Sequence, residues 1–162
     1  MRIRLSAGWV AAMLAVGLFV QGPAVSRAQF AAQTISATSI PSAQLMQPEE
    51  LNRLLQSSAQ KKPLILQVGS RLMFDQAHIP HAEYAGPGSH DEGVQALRNR
   101  VASLPRTSLI VIYCGCCPWN RCPNVGPAYM LLSQMGFTNV KVLYLADNFG
   151  ANWVDEGYPV GR

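Results

Sequence analysis

The sequence predicts a single α/β domain with a mostly parallel central sheet flanked by helices on both faces. Three observations carry this. Residues 64–68 and 109–113 are short, almost wholly apolar runs, the pattern of strands buried on both faces. Between and after such runs, apolar residues recur at helical spacing. Strands alternating with amphipathic helices are joined most simply by crossover connections that leave the strands parallel. No internal repeat is present.

At 162 residues the chain has room for one compact domain. Residues 1–28 read as a secretory signal peptide. Arg2 and Arg4 form a short basic region, residues 7–20 are mainly apolar, and Ser26-Arg27-Ala28 puts small residues where a signal peptidase reads. An uncleaved anchor is the alternative, although the apolar run is short for a membrane span. Export places the protein in the periplasm or outside the cell, with no stable membrane insertion once the leader is removed. The net charge of +4 belongs mostly to the leader: removing its three arginines leaves 10 basic against 9 acidic residues, a net of +1. Nucleic acid is therefore not an expected partner, since no basic patch interleaved with aromatics remains.

Residues 29–44 read as a linker or N-terminal arm, with a short strand near 34–37. Pro48-Glu49-Glu50 opens a helix, with proline at a first-turn position and acids beside the positive end of the dipole. Leu51, Leu54 and Leu55 form its apolar face, and Lys61-Lys62-Pro63 stops it. The run 64–68 is a buried strand, broken by Gly69-Ser70-Arg71. Residues 76–89 are mainly loop, holding His78 and His81, with a short strand over 83–85. Asp91-Glu92 begins a helix with Val94, Leu97, Val101 and Leu104 on one face, ended by Pro105. His90, just before it, belongs to no pattern. Residues 109–113 are the clearest strand. A helix over about 124–134 is capped by Gly136, a strand covers 140–145, and a last short helix capped by Asp147 or Asn148 carries Phe149 and Trp153 up to Gly157.

All four cysteines, Cys114, Cys116, Cys117 and Cys122, lie within nine positions between the central strand and the next helix. Disulfides closing such short loops would constrain little, so the crowding points to thiol chemistry or metal binding. In open parallel sheets, sites form at the carboxyl ends of strands beside helix N-termini.

Several segments, taken in order, resemble the rhodanese (sulfurtransferase) family. Ala77-His78-Ile79-Pro80-His81-Ala82 resembles that family's G-H-I-P-G-A segment. Ile112-Tyr113-Cys114 resembles the strand end that delivers its catalytic cysteine. Leu131-Leu132-Ser133-Gln134-Met135-Gly136-Phe137, then Asn139-Val140, resembles its helix end and following strand, and Trp153 with Gly157-Tyr158-Pro159-Val160 its C-terminal signature. The resemblance spans about residues 45–160 and implies a rhodanese-like domain over 45–162. The sequence departs from the pattern in three places. Gln67-Val68-Gly69-Ser70-Arg71 stands for Asp-Val-Arg, Arg121 follows Cys114 by seven positions where the usual loop has four residues between cysteine and arginine, and Asp147-Asn148 replaces a Gly-Gly.

The resemblance implies an enzyme, exported according to its leader, that moves sulfane sulfur through a persulfide on Cys114, from a small anionic sulfur donor to a thiol or cyanide-like acceptor, without a resident cofactor. Cys114 would be the nucleophile, its thiolate favoured by loop amides and a helix N-terminus. Arg121 would bind the donor's anionic end, or is a solvated loop cation. Arg71 is a lesser candidate. Gly115, Trp119 and Asn120 complete the loop, with Trp119 shielding the site or fixing the loop by packing. Cys116, Cys117 and Cys122 are candidate resolving thiols. Alternatively, the four cysteines ligate a soft metal or serve a periplasmic thiol redox protein. Asn124 is expected to cap the following helix, His78 and His81 to make structural hydrogen bonds, and Trp153 to lie in the core.

Overall fold

The computed structural model describes residues 36–58 and 62–162. The leader over 1–28 and the first part of the arm lie outside the described residues. Five strands form one sheet: β1 (Leu45–Met46), β2 (Leu64–Gln67), β3 (Glu83–Tyr84), β4 (Ile110–Tyr113) and β5 (Val140–Leu143). Their order is β1-β5-β4-β2-β3, and every pairing is parallel. β4 lies at the centre, with Leu64 opposite Ile110, Gln67 opposite Tyr113, and Val140 opposite Ile110 on its other side.

The helices are α1 (Pro48–Gln56), α2 (Arg71–Gln76), α3 (Asp91–Val101) and α4 (Val125–Gln134), followed by a π-helical turn over Gly150–Val154. They cover both faces. Leu97 and Val101 of α3 and Val125, Ala128, Leu131 and Leu132 of α4 pack on one core; Leu51 of α1, Ile79, Phe149 and Trp153 pack on the other. The strands supply both by simple alternation. Ile110 and Ile112 face the α3/α4 core, and Val111 and Tyr113 face the α1 core.

The elements that the sequence marks strongly are present. Pro48 stands in the first turn of α1 with Glu49 and Glu50. Gly136 takes φ 83° just past α4, its N–H bonding Ser133 O while the Phe137 N–H returns to Leu132 O. Asn148 caps the last turn, its Oδ1 accepting from the Ala151 N–H at 2.9 Å. Three differences have local causes. The strand expected near 34–37 is not seen at Ser36 and Ala37; these enter a 3₁₀ turn (Ala37–Ser39) in which Ser36 Oγ accepts from the Thr38 N–H. β1 pairs with β5 through two residues only, too few to show periodicity. α2 follows directly on the Gly69-Ser70 break and spans six residues, with an Arg71–Asp75 ion pair one turn apart at 2.9 Å.

His78 and His81 have structural roles. The His78 Nδ1 is 2.9 Å from Phe74 O, its ring stacks on Phe74, and its backbone pairs with Gly161. His81 adopts φ 64° where the motif it resembles carries glycine. Trp153 is fully buried, and its Nε1–H donates to Pro159 O at 2.9 Å. This ties the C-terminal segment to the core. Trp153→Ala is expected to lower unfolding free energy by about 3–5 kcal/mol, from the cavity and the lost bond; urea unfolding at constant m measures it.

Candidate functional site

β4 ends at Tyr113, and the next side chain keeps the strand's alternation. Cys114 therefore points into the α3/α4 core beside Ile110 and Ile112 and is 5% exposed. The Tyr113 hydroxyl, on the opposite face, accepts from the Ile79 N–H at 3.2 Å. The chain then turns outward. Cys116 is exposed, Cys117 half-buried and Cys122 buried, and none is in a disulfide.

The sulfurs form a chain. Cys114 Sγ lies 3.2 Å from Cys116 Sγ, which lies 3.1 Å from Cys117 Sγ. These three sulfurs all lie within 4.8 Å of one another. Gly69 closes the other side of Cys114: a Cβ there would stand 2.9 Å from its sulfur, so no larger residue fits without displacement. The buried Gln67 holds that turn, its Oε1 accepting from the Gly69 N–H at 3.2 Å. Gln67 and Gly69 show in the sequence only as a departure from the family's Asp-Val-Arg, and neither they nor Asn124 was expected to border the cysteine.

Asn124 corrects an expectation. It stands at the N-cap position of α4 but makes no side-chain cap bond. Instead its Oδ1 accepts from the Ser89 N–H at 3.1 Å and the Ser89 hydroxyl at 2.8 Å. Two donors on the oxygen set the amide's orientation, and its Nδ2–H then donates to Cys114 Sγ at 3.3 Å. Gly88 allows this approach, since a Cβ there would lie 2.3 Å from Asn124 O.

The electrostatics correct a second expectation. The amides at the start of α4, those of Asn124 and Val125, serve Cys122 rather than Cys114, because the long loop brings Cys122 to the helix N-terminus. Its thiol is nonetheless held up by the neighbouring Cys114 and by burial. Cys114 is also held above the ordinary thiol range. The hydrogen bond with Cys116 is the main cause, burial adds to it, and Cys122, the Cys116 N–H and the Asn124 amide oppose it. Burial pushes Cys117 up to about 11. At rest the nucleophile candidate is therefore a protonated thiol with thiolate-stabilising donors already in place.

The remaining loop residues divide by role. Trp119 packs: its ring meets Tyr144 at 5.2 Å, and its backbone N–H donates to Ala146 O at 3.0 Å. Gly115 is buried against Phe149, where a Cβ would come within 2.6 Å of Phe149 Cβ. Asn120 and Arg121 are exposed on the short turn Trp119–Arg121. A crevice of about 10 Å³ lies among Cys114, Cys117, Trp119 and Cys122. A larger cavity of about 170 Å³ opens on the other side of Gly115, lined by Gln67, Gln76, Tyr113, Phe149 and Val154 among others. Arg121 lines neither. Arg71 is paired with Asp75 and lies over the Tyr84 ring.

Known proteins agree with this architecture. A family model described as the Rhodanese-like domain matches residues 47–145. The solution structure of the rhodanese-like domain of the Alr3790 protein from Anabaena sp. is similar with a TM-score of 0.54 and 23% identity, over 73% of this chain and 78% of that one. A crystal structure of the Alr3790 protein gives 0.55 and 22%, over 72% and 81%. At such identities the likeness concerns the fold. No curated protein matches the chain significantly. Among the described residues, no helix is long and apolar enough to cross a membrane.

Substitutions at the two polar neighbours should move the Cys114 titration in opposite directions. Asn124→Ala removes a donor to the thiolate, so the midpoint for Cys114 alkylation rises. Cys116→Ala removes the partner that holds the neutral thiol, so the midpoint falls. Iodoacetamide labelling across pH, resolved by residue in the mass spectrometer, reads both.

Proposed function

The chain belongs to the rhodanese-like domain family, and from that premise we propose that it is an exported sulfurtransferase that carries sulfane sulfur as a persulfide on Cys114. The observation that supports this best is the setting of that sulfur. It ends the central strand, receives the Asn124 amide, and borders a crevice of about 10 Å³, the room one small atom or water needs.

In the proposed reaction, Cys114 loses its proton and attacks the outer sulfur of a small donor such as thiosulfate. A bond forms between the two sulfurs, and the donor's own sulfur–sulfur bond breaks, releasing sulfite. The Cys116 N–H and the Asn124 amide stabilise the thiolate as it forms. Arg121, on the exposed turn of the loop, is the cation for the donor's anionic end. A cyanide-like or thiol acceptor then attacks the outer sulfur and restores Cys114.

Purified protein is expected to form thiocyanate from thiosulfate and cyanide. Cys114→Ser should reduce kcat/KM about a thousandfold or more, while Arg121→Ala should raise KM for the anionic donor more than it lowers kcat. Thiocyanate formation that survives Cys114→Ser would overturn the assignment.

A second reading, a soft-metal module, is supported by the close grouping of Cys114, Cys116 and Cys117 sulfurs. It predicts one equivalent of zinc or copper(I) per chain after loading and desalting, lost on replacing Cys116. Metal below a tenth of an equivalent by elemental analysis would count against it.

A further inference from the structure

Cys114 and Cys116 are neighbours with very different access. Cys114 is 5% exposed, and the crevice beside it accommodates about 10 Å³. One added sulfur suits that space, and a tripeptide thiol such as glutathione, far larger than a thiosulfate-sized donor, does not. Cys116 is exposed, and its sulfur lies 3.2 Å from that of Cys114. Resting on the sulfurtransferase reading above, we propose that Cys116 is a relay thiol: it draws sulfane sulfur from Cys114 and presents it to thiol acceptors of glutathione size or larger.

The step balances without an oxidant or reductant. Cys116 releases its proton to solvent, and its sulfur attacks the outer sulfur of the Cys114 persulfide. A sulfur–sulfur bond forms at Cys116. The bond between Cys114 Sγ and the outer sulfur breaks, and its electron pair stays on Cys114. The hydrogen on the outer sulfur travels with it, so one thiolate and one persulfide stand on each side of the exchange. Cys116 does not line the crevice, so rotation about the Cys114 Cβ–Sγ bond carries the outer sulfur from it toward Cys116, and the persulfide bond of about 2.05 Å then spans much of the 3.2 Å between the two sulfurs. The Asn124 Nδ2–H, 3.3 Å from Cys114 Sγ, receives the departing thiolate. The path ends at Cys116. Cys117 is next in line at 3.1 Å, but it is half-buried and less open to a large acceptor than Cys116.

A competing attack on the inner sulfur would release hydrosulfide and leave a Cys114–Cys116 disulfide, so the two routes have different masses. The full chain is loaded with thiosulfate, desalted, capped with iodoacetamide and fragmented between residues 114 and 116. In wild type, the added sulfur of about 32 Da is expected on both Cys114 and Cys116. In Cys116→Ser it should remain on Cys114 alone, and glutathione should remove it roughly tenfold more slowly than from wild type, with cyanide slowed less. Sulfur confined to Cys114 in wild type, a Cys114–Cys116 disulfide, or discharge of Cys116→Ser to glutathione at the wild-type rate would each overturn the relay and leave the Cys114 persulfide standing. Absence of added sulfur from both proteins would overturn the relay and the sulfurtransferase reading together.

Discussion

β4 is buried on both faces, and this sets the direction of the Cys114 sulfur. Its residues must alternate between two cores: Ile110 and Ile112 to one, Val111 and Tyr113 to the other. Cys114 inherits the next place in the alternation before the backbone leaves the sheet. A slip of one residue would send it toward Phe149 and Trp153 and bring Tyr113 among α3 and α4, so the register is held by every apolar contact on both sides. The neighbouring strands reinforce it, with β2 and β5 both parallel to β4 and in contact along its length. The proposed chemistry therefore depends on hydrophobic burial well before any polar contact is made.

The polar contacts then tune what burial has placed. A thiol in an apolar core is held protonated, because its anion loses solvation. Asn124 offsets part of that penalty through a hydrogen bond whose orientation is set 35 residues away, at Ser89. Ser89 lies in the connection before α3, so the helix layer and the loop after β4 meet at one amide. The Cys116 thiol has the opposite effect, stabilising the neutral form of Cys114. The two neighbours make a sulfur that rests protonated and is nevertheless supplied with donors for its anion. Displacing Cys116 removes the contact that favours the neutral form, which links the position of the exposed thiol to the state of the buried one.

Much of this architecture was legible in the sequence, and the exceptions share a cause. The strands 64–68 and 109–113 announce themselves because a strand covered on both sides must be apolar throughout, and α1, α3 and α4 because each buries one stripe. Gly136 was readable as a helix stop because the backbone there requires a left-handed residue. The two-residue β1 and the six-residue α2 end before a pattern of period 2 or 3.6 has repeated, so no spacing could reveal them. At the site, the cysteines were visible by type and crowding. Asn124 was visible as a residue that caps helices, and its true partners, Ser89 and Cys114, became adjacent only through the fold. Gln67 and Gly69 showed only as a departure from the family's Asp-Val-Arg; they matter because β2 runs beside β4 and the turn after it closes over the sulfur.

The length of the loop after Cys114 explains why the site differs from the short-loop arrangement that its resemblance implied. A short cysteine–arginine spacing would keep thiol, cation and helix amides around one point. Here the extra residues carry the chain out through Cys116, anchor it by Trp119 against Tyr144, and return it at Cys122 to meet α4. The helix amides consequently fall to Cys122, and Arg121 is left on the exposed turn. What the loop loses in concentrated positive potential at Cys114, it gains in a graded series of thiols from buried to exposed. A single pocketed thiolate favours capture of a small donor. A buried thiol in contact with an exposed one suits the proposed movement of sulfur from Cys114 to the surface at Cys116.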